Sequence, residues 1–185
     1  MLQEIKESIR IISKGGVILY PTDTIWGIGC DATNETAVKR IFEIKKRPSA
    51  KAMIILVSQA SQLEHYADIP EIAYDLVEYA ENPLTIIYPN AKRIASSLIS
   101  EDGTIAIRVV KDEFCKMIIN SLRKPLVSTS ANVSGESSPL YFDEISDEIK
   151  NQVDYVVPLR QSELTKSAPS KIIKLSMNGT IEIIR

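Results

Sequence analysis

Gly15-Gly16-Val17-Ile18-Leu19-Tyr20-Pro21-Thr22-Asp23-Thr24 is the stretch on which the reading of the chain turns. Leu2, Ile5, Ile9 and Ile12 precede it at helical spacing, and the glycine pair supplies residues that take the left-handed conformation at a helix end. The first helix is therefore predicted to stop near Lys14. Val17 to Tyr20 is a short, continuously apolar, β-branched run closed by Pro21, which reads as a buried strand. It feeds the polar loop Thr22-Asp23-Thr24, so that loop is a candidate site.

Outward from this strand, Asn34 followed by Ala37, Val38, Ile41, Phe42 and Ile44 reads as a capped amphipathic helix, and Pro48 disfavours helical geometry at Arg47. Lys45-Lys46-Arg47 then leaves a helix C-terminus. Met53 to Val57 reads as a second buried strand, and residues 59–80 hold two helical patches broken at Pro70. Further strands are expected at Thr85 to Tyr88, Thr104 to Val110, Pro125 to Ser128 and Val153 to Val157, with a helix between Asp112 and Leu122. The tail reads as a hairpin, Lys171 to Leu175 and Ile181 to Ile184, around an Asn178-Gly179 turn of type I′. Strands and helices are interspersed, yet the hairpin and the closely spaced late strands depart from a strict βαβ repeat. The fold expected is a single α/β domain over residues 1–185: a twisted mixed sheet with flanking helices.

Composition agrees with one globular domain. Of the 185 residues, 44% are hydrophobic and 25% charged, which excludes disorder and a charge-rich coiled coil. No uncharged run approaches the ~18 apolar residues of a membrane span, and Met1 to Glu7 lacks the apolar region of a secretory signal. A cytoplasmic location is expected, with no membrane partner. Cys30 and Cys115 lie far apart without a CxxC or a neighbouring histidine, so they read as buried thiols and not as a disulfide or zinc framework. The net charge of −2 argues against coating nucleic acid by bulk electrostatics. Locally, residues 39–51 are basic (Lys39, Arg40, Lys45, Lys46, Arg47, Lys51) and residues 141–154 acidic (Asp143, Glu144, Asp147, Glu148, Asp154), so a basic patch on an acidic body is expected.

Absences narrow the chemistry. His65 is the only histidine and lies in a polar helical stretch, where it reads as a surface residue, so a histidine-dependent hydrolase has no support. Neither G-x-x-x-x-G-K-[ST] nor G-x-G-x-x-G occurs. What remains is equipment for holding anions. Lys45, Arg47 and Lys51 combine a guanidinium fork with point charges, which suits phosphates, although basic residues at a helix end also complement its dipole. Pro125 to Gly135 runs from an apolar strand into Ser128, Thr129, Ser130, Asn132 and Ser134, which can bond phosphate oxygens or a base, or form a turn-rich loop. Arg108, between apolar neighbours in a strand pattern, must face solvent or meet an anion.

Tyr20-Pro21-Thr22-Asp23-Thr24-Ile25-Trp26-Gly27-Ile28-Gly29-Cys30-Asp31-Ala32, Lys45-Lys46-Arg47-Pro48, Pro83-Leu84-Thr85, Ile107-Arg108-Val109 and Ser128-Thr129-Ser130-Ala131-Asn132-Val133-Ser134-Gly135, in this order, resemble the YrdC/Sua5 family of threonylcarbamoyl-AMP synthases. The resemblance spans nearly the whole chain and matches the short form. It implies a sheet around a basic concave cavity in which L-threonine, bicarbonate and ATP become L-threonylcarbamoyladenylate and pyrophosphate, toward the t6A modification of tRNA. By the same resemblance, Lys45 and Arg47 are catalytic, and Arg47, Lys51, Thr104, Ser130, Asn132, Ser138 and Arg185 contact the nucleotide. Thr24, Arg108, Ser128 and Ser170 would hold threonine, and Mg²⁺ would accompany ATP without a protein metal site. Trp26 in place of Tyr or Phe, Glu81-Asn82 before Pro83, Lys171 after Ser170 and the end at Arg185 depart from the family pattern, while the K-x-R and S-x-N elements that YciO-like paralogues lack are intact. Alternatives are an RNA-binding protein, with residues 39–51 tracking phosphates of double-stranded RNA or tRNA, and an accessory protein that docks other t6A-pathway proteins.

Overall fold

The computed structural model describes residues 1–46, 53–164 and 168–185. Helix α1 (Leu2–Ser13) ends at Lys14, and Gly15 takes φ +82°, the left-handed turn the glycine pair predicts. Strand β1 (Ile18–Tyr20) is buried throughout. Helix α2 (Glu35–Ile44) is capped by Asn34, whose side chain accepts the Ala37 N–H at 3.1 Å. Helix α4 (Glu113–Leu122) is capped the same way by Asp112, which accepts the Cys115 N–H at 2.9 Å. Each cap satisfies an N–H that the first turn leaves without a partner. The shorter helices are α3 (Ile72–Glu78) and α5 (Asp147–Lys150).

Strands β2 (Gly27–Gly29), β3 (Ile54–Val57), β4 (Leu84–Tyr88), β5 (Ile105–Val109), β6 (Leu126–Ser130), β7 (Tyr155–Val156), β8 (Lys171–Leu175) and β9 (Ile181–Ile183) join β1 in one sheet. Among the described residues its order is β7-β1-β2-β6-β3-β5-β4-β8-β9. The β1–β7, β3–β5 and β4–β8 pairs are parallel and the rest antiparallel, so the sheet is mixed, as expected.

Alternation along the strands separates two cores. Leu19, Ile28, Ile55, Ile86, Ile107 and Val127 point to one face, where Val38, Ile41 and Phe42 of α2 cover them. Ile18, Tyr20, Leu56 and Leu126 point to the other, under Ile5 and Ile12 of α1 and Phe114, Ile118 and Ile119 of α4.

The two helical patches expected around Pro70 are present, as a 3₁₀ helix over Ala60–His65 that buries only Leu63 and as α3. Three differences from the sequence reading have physical causes. Strand β2 is not foreseen, because glycine is depleted in strands and two of its three residues are Gly. A Cβ on Gly29 would lie 2.3 Å from the Val127 carbonyl and 2.7 Å from the Tyr20 ring, so the glycine makes room for the ring that crosses this strand. Strand β6 runs on to Ser130, since polar residues there still pair with Gly27 and Ile28 of β2. The β8–β9 turn is not type I′: Gly179 is at φ +85° and Asn178 is not left-handed. Ser176 N–H meets Thr180 O at 3.0 Å, which leaves a three-residue loop with glycine at its left-handed position.

Among the described residues, three cations of the expected basic patch are paired with carboxylates. Lys39 pairs with Glu35, Arg40 with Asp154 and Lys46 with Glu148, so the basic and acidic segments face each other.

Candidate functional site

On the face shared with α1 and α4, the apolar run of each strand gives out before the strand does. Leu56 and Leu126 lie opposite each other under the helices. Two residues along the same face, Ile54 and Ser128 are again opposite, but here they line an open cavity of about 230 Å³. Ser130 of β6 and Arg108 of β5 add to this wall, with Thr24, Ser138 and Ser170 around the rim. The cavity is thus the part of one sheet face that the two helices leave uncovered.

Arg108 is only 2% exposed. It lies opposite Leu56 on one side and Thr85 on the other. Its Nη1 donates to Thr24 Oγ1 at 3.0 Å. Its Nη2 lies 3.2 Å from Asp23 Oδ1, an ion pair without hydrogen-bond alignment, because that oxygen has no hydrogen-bond partner. The Nε–H is buried and has no acceptor. A buried guanidinium tolerates this only where charge is balanced nearby, here by the Asp23 carboxylate. Asp23 also accepts the Lys111 N–H at 3.0 Å through Oδ2, which ties the β1–β2 loop to the end of β5.

The loop around Thr24 is closed by its own hydroxyls. Thr22 Oγ1 donates to Ile25 O at 2.8 Å and accepts the Thr24 N–H at 3.0 Å, and it lies 2.9 Å from Thr24 Oγ1. Both threonines are buried. Across the cavity, the Ser170 and Thr85 hydroxyls bond at 2.8 Å. Arg185 folds over this edge: Nε and Nη2 donate to Ser170 O at 3.3 and 3.1 Å, and its main chain pairs with Ile172. Trp26, in place of the smaller ring, lines the cavity and packs on Phe142 with ring centroids 4.9 Å apart.

Other residues predicted from the sequence lie away from the cavity wall. Lys45 is 1% exposed, and its ammonium donates to Ser130 O and, at 2.6 Å, to Asn132 O. The Lys45 carbonyl accepts the Ser134 N–H at 2.9 Å, so this lysine fixes the loop that follows β6. Extended geometry ends at Ser130, where the Asn132 N–H turns back to Ser130 O at 3.0 Å, so the two side chains do not alternate as a strand would place them. The Asn132 Nδ2 donates to Val133 O and Glu136 O at 2.9 and 2.8 Å, and its Oδ1 is buried without a partner. Thr104, the residue before β5, donates through Oγ1 to Asp102 Oδ1 at 2.6 Å. Arg47 and Lys51 lie outside the described residues.

The chemistry open to this wall is anion and hydroxyl recognition. Burial pushes both the Cys30 and Cys115 thiols up, which leaves no thiolate nucleophile. His65 is exposed in the 3₁₀ helix. Among the described residues no acidic side chain lines the cavity, and there is no cluster of three or more His, Cys, Asp or Glu that could hold a metal. A Mg²⁺ ion held by protein carboxylates does not fit this donor set. Sequence reasoning marked the Thr22-Asp23-Thr24 loop but singled out only Thr24. The roles of Asp23 and Thr85 depend on contacts between distant segments, and that of Thr22 on hydrogen-bond directions within its own loop, neither of which the residue types reveal.

No helix among the described residues is long and apolar enough to cross a membrane. The chain is 35% identical over 181 residues to a threonylcarbamoyl-AMP synthase from Pseudoalteromonas translucida, spanning 96% of this chain and 95% of that protein. Its fold matches E. coli YciO with TM-score 0.86 at 26% identity, over 100% of this chain and 89% of that one. It also matches P. abyssi Sua5 complexed with L-threonine, TM-score 0.82 at 29% identity, over 92% of this chain but only 50% of that longer one. Residues 10–185, from within α1 through the C-terminal arginine at the cavity rim, match the Sua5/YciO/YrdC family, described as telomere recombination, and the chain belongs to that family.

Proposed function

We propose that the protein is a threonylcarbamoyl-AMP synthase, a nucleotidyltransferase that joins L-threonine, bicarbonate and ATP into threonylcarbamoyl-AMP and pyrophosphate for tRNA t6A modification. The observation that carries this reading is Arg108, a buried guanidinium with an acceptor-less Nε–H in a wall of hydroxyls. A carboxylate is the anion its planar fork fits best. The relative complexed with L-threonine shares this fold, and the synthase at 35% identity shares nearly the full length. At about 230 Å³ the cavity is smaller than the ~300–1,000 Å³ of pockets that enclose drug-sized ligands, so it holds an amino acid while a nucleotide extends beyond it.

In this reading Arg108 takes the threonine carboxylate, and Thr24, Ser128 and Ser170 bound the rest of the amino acid. The amine attacks the bicarbonate carbon, a C–O bond breaks and water leaves, and the resulting carbamate attacks the ATP α-phosphorus through its oxygen while pyrophosphate leaves. Such a transfer depends on alignment and charge neutralisation more than on a proton-abstracting base, in keeping with a wall that has no histidine. Ser130, Ser138 and Arg185 border the space the nucleotide would enter, and Thr104 and Asn132 stand further out. Arg47 and Lys51 are proposed for the phosphates from the sequence. Lys45, with its ammonium on two carbonyls, acts by fixing the loop from Ser130 to Asn132. Mg²⁺ would enter on the triphosphate, neutralising charge there, since the cavity offers it no carboxylate. Pyrophosphate release measured with ATP, bicarbonate and L-threonine tests the proposal: omission of threonine is expected to abolish it, and unchanged release would reject the synthase reading.

A further inference from the structure

The hydroxyl network beneath Thr24 has a fixed direction. A carbonyl oxygen only accepts, so the Thr22 hydroxyl proton is committed to Ile25 O at 2.8 Å. Thr22 Oγ1 already accepts the Thr24 N–H at 3.0 Å, and its contact with Thr24 Oγ1 at 2.9 Å must then be a hydrogen bond donated by Thr24. Thr24 Oγ1 also accepts from Arg108 Nη1 at 3.0 Å. Its proton and one lone pair are thereby occupied, and the lone pair that remains belongs to a residue lining the cavity. Thr24 therefore presents an acceptor and no donor.

We propose that Thr22 is a positioning residue that sets this polarity, and that Thr24 thereby receives an N–H of the substrate's α-amino group. The inference rests on the synthase reading above. The Arg108 guanidinium donates from Nη1 to Thr24 Oγ1 at 3.0 Å and both residues line the cavity, so a cationic donor and an acceptor are neighbours there, and an α-amino acid carries its carboxylate and its amine on one carbon. The carboxylate belongs on the guanidinium, because Thr24 has no hydrogen to give it. The amine is then the neighbouring donor. It keeps an N–H after carboxylation to the carbamate, so the same acceptor holds the substrate before and after that step. A hydroxyl free to rotate could equally donate to the carboxylate and misplace the amine. Thr22 removes that option.

Calorimetric titration with L-threonine and, separately, with ATP compares wild type, Thr22→Val and Thr22→Ser. Valine keeps the shape and loses the hydroxyl, while serine keeps the hydroxyl. The expected result is about tenfold weaker threonine binding by Thr22→Val, the scale of one hydrogen bond, with Thr22→Ser within about twofold of wild type and ATP binding the same in all three. Wild-type threonine affinity in Thr22→Val, or equal losses for valine and serine, would overturn the inference. Should Thr22→Val fail to fold, competition on the wild-type protein decides: (R)-3-hydroxybutyrate, which is threonine without its amine, is expected to compete far more weakly than L-threonine, and equal competition would overturn the assignment. A wild-type protein that binds no L-threonine would reject the synthase reading itself, a different outcome from the variants behaving alike.

Discussion

Replacing the Arg108 guanidinium with an ammonium keeps the charge and loses both the fork and the orphaned Nε–H. Threonine binding by Arg108→Lys is expected to weaken by about 1–3 kcal/mol with ATP binding nearly unchanged, measured by calorimetry. Equal threonine affinity would make Arg108 a structural partner of Asp23 only. At this scale the sequence was most informative where a residue contradicts its surroundings. A cation between apolar neighbours in a strand pattern stands out by its desolvation cost alone, as Arg108 does. Lys45 carries a charge too, but its place at a helix end gives no hint that the ammonium turns inward onto two carbonyls. Thr22 and Asp23 were legible as a polar loop after a strand. Their division of labour was not, because it follows from hydrogen-bond directions set by Ile25, Lys111 and Arg108.

Strand β2 is the element on which the site's geometry hangs, since it carries the chain from the Thr22–Thr24 loop into register with β6. Gly29→Ala is expected to destabilise the protein by about 1–3 kcal/mol, read from urea unfolding, because a Cβ would meet the Val127 carbonyl at 2.3 Å and the Tyr20 ring at 2.7 Å. Neither neighbour can swing away: one is main chain, and the other is a buried ring whose hydroxyl donates to Val127 O at 3.0 Å. An unchanged midpoint would show that the sheet relaxes around the methyl. Elements with caps and periodic apolar residues, such as α2 and α4, were readable to within a residue. Strand β2 escaped because its residues are chosen for what crosses them and not for strand propensity.

Across the molecule, charge is arranged in pairs that close the fold. Lys174 of β8 and Thr104 together hold the Asp102 carboxyl down at about 2. A carboxyl depressed below its unfolded value near ~3.8 contributes stability above that pH and loses it as pH falls toward 2. The group is half exposed, so the contribution is worth at most about 1 kcal/mol. Acid unfolding of Asp102→Asn should therefore begin from a slightly lower plateau at neutral pH and converge with wild type near pH 2. Curves offset equally at all pH values would assign the effect to packing. The mixed sheet was legible because its tail hairpin and close late strands broke the βαβ pattern. The pairing of Arg40 with Asp154 and of Lys46 with Glu148 was not, since it joins segments more than a hundred residues apart.

The central claim, that one cavity brings an amino acid, a one-carbon acid and a nucleotide together, is tested most directly by following three labels at once. The protein is incubated with L-threonine, bicarbonate and ATP, each carrying its own isotope, with the ATP label on the α-phosphate, and the products are separated by chromatography. The account predicts one threonine-dependent species that carries all three labels and appears in step with pyrophosphate. α-Phosphate label that never joins the carbon of bicarbonate, with pyrophosphate released regardless of threonine, would contradict it.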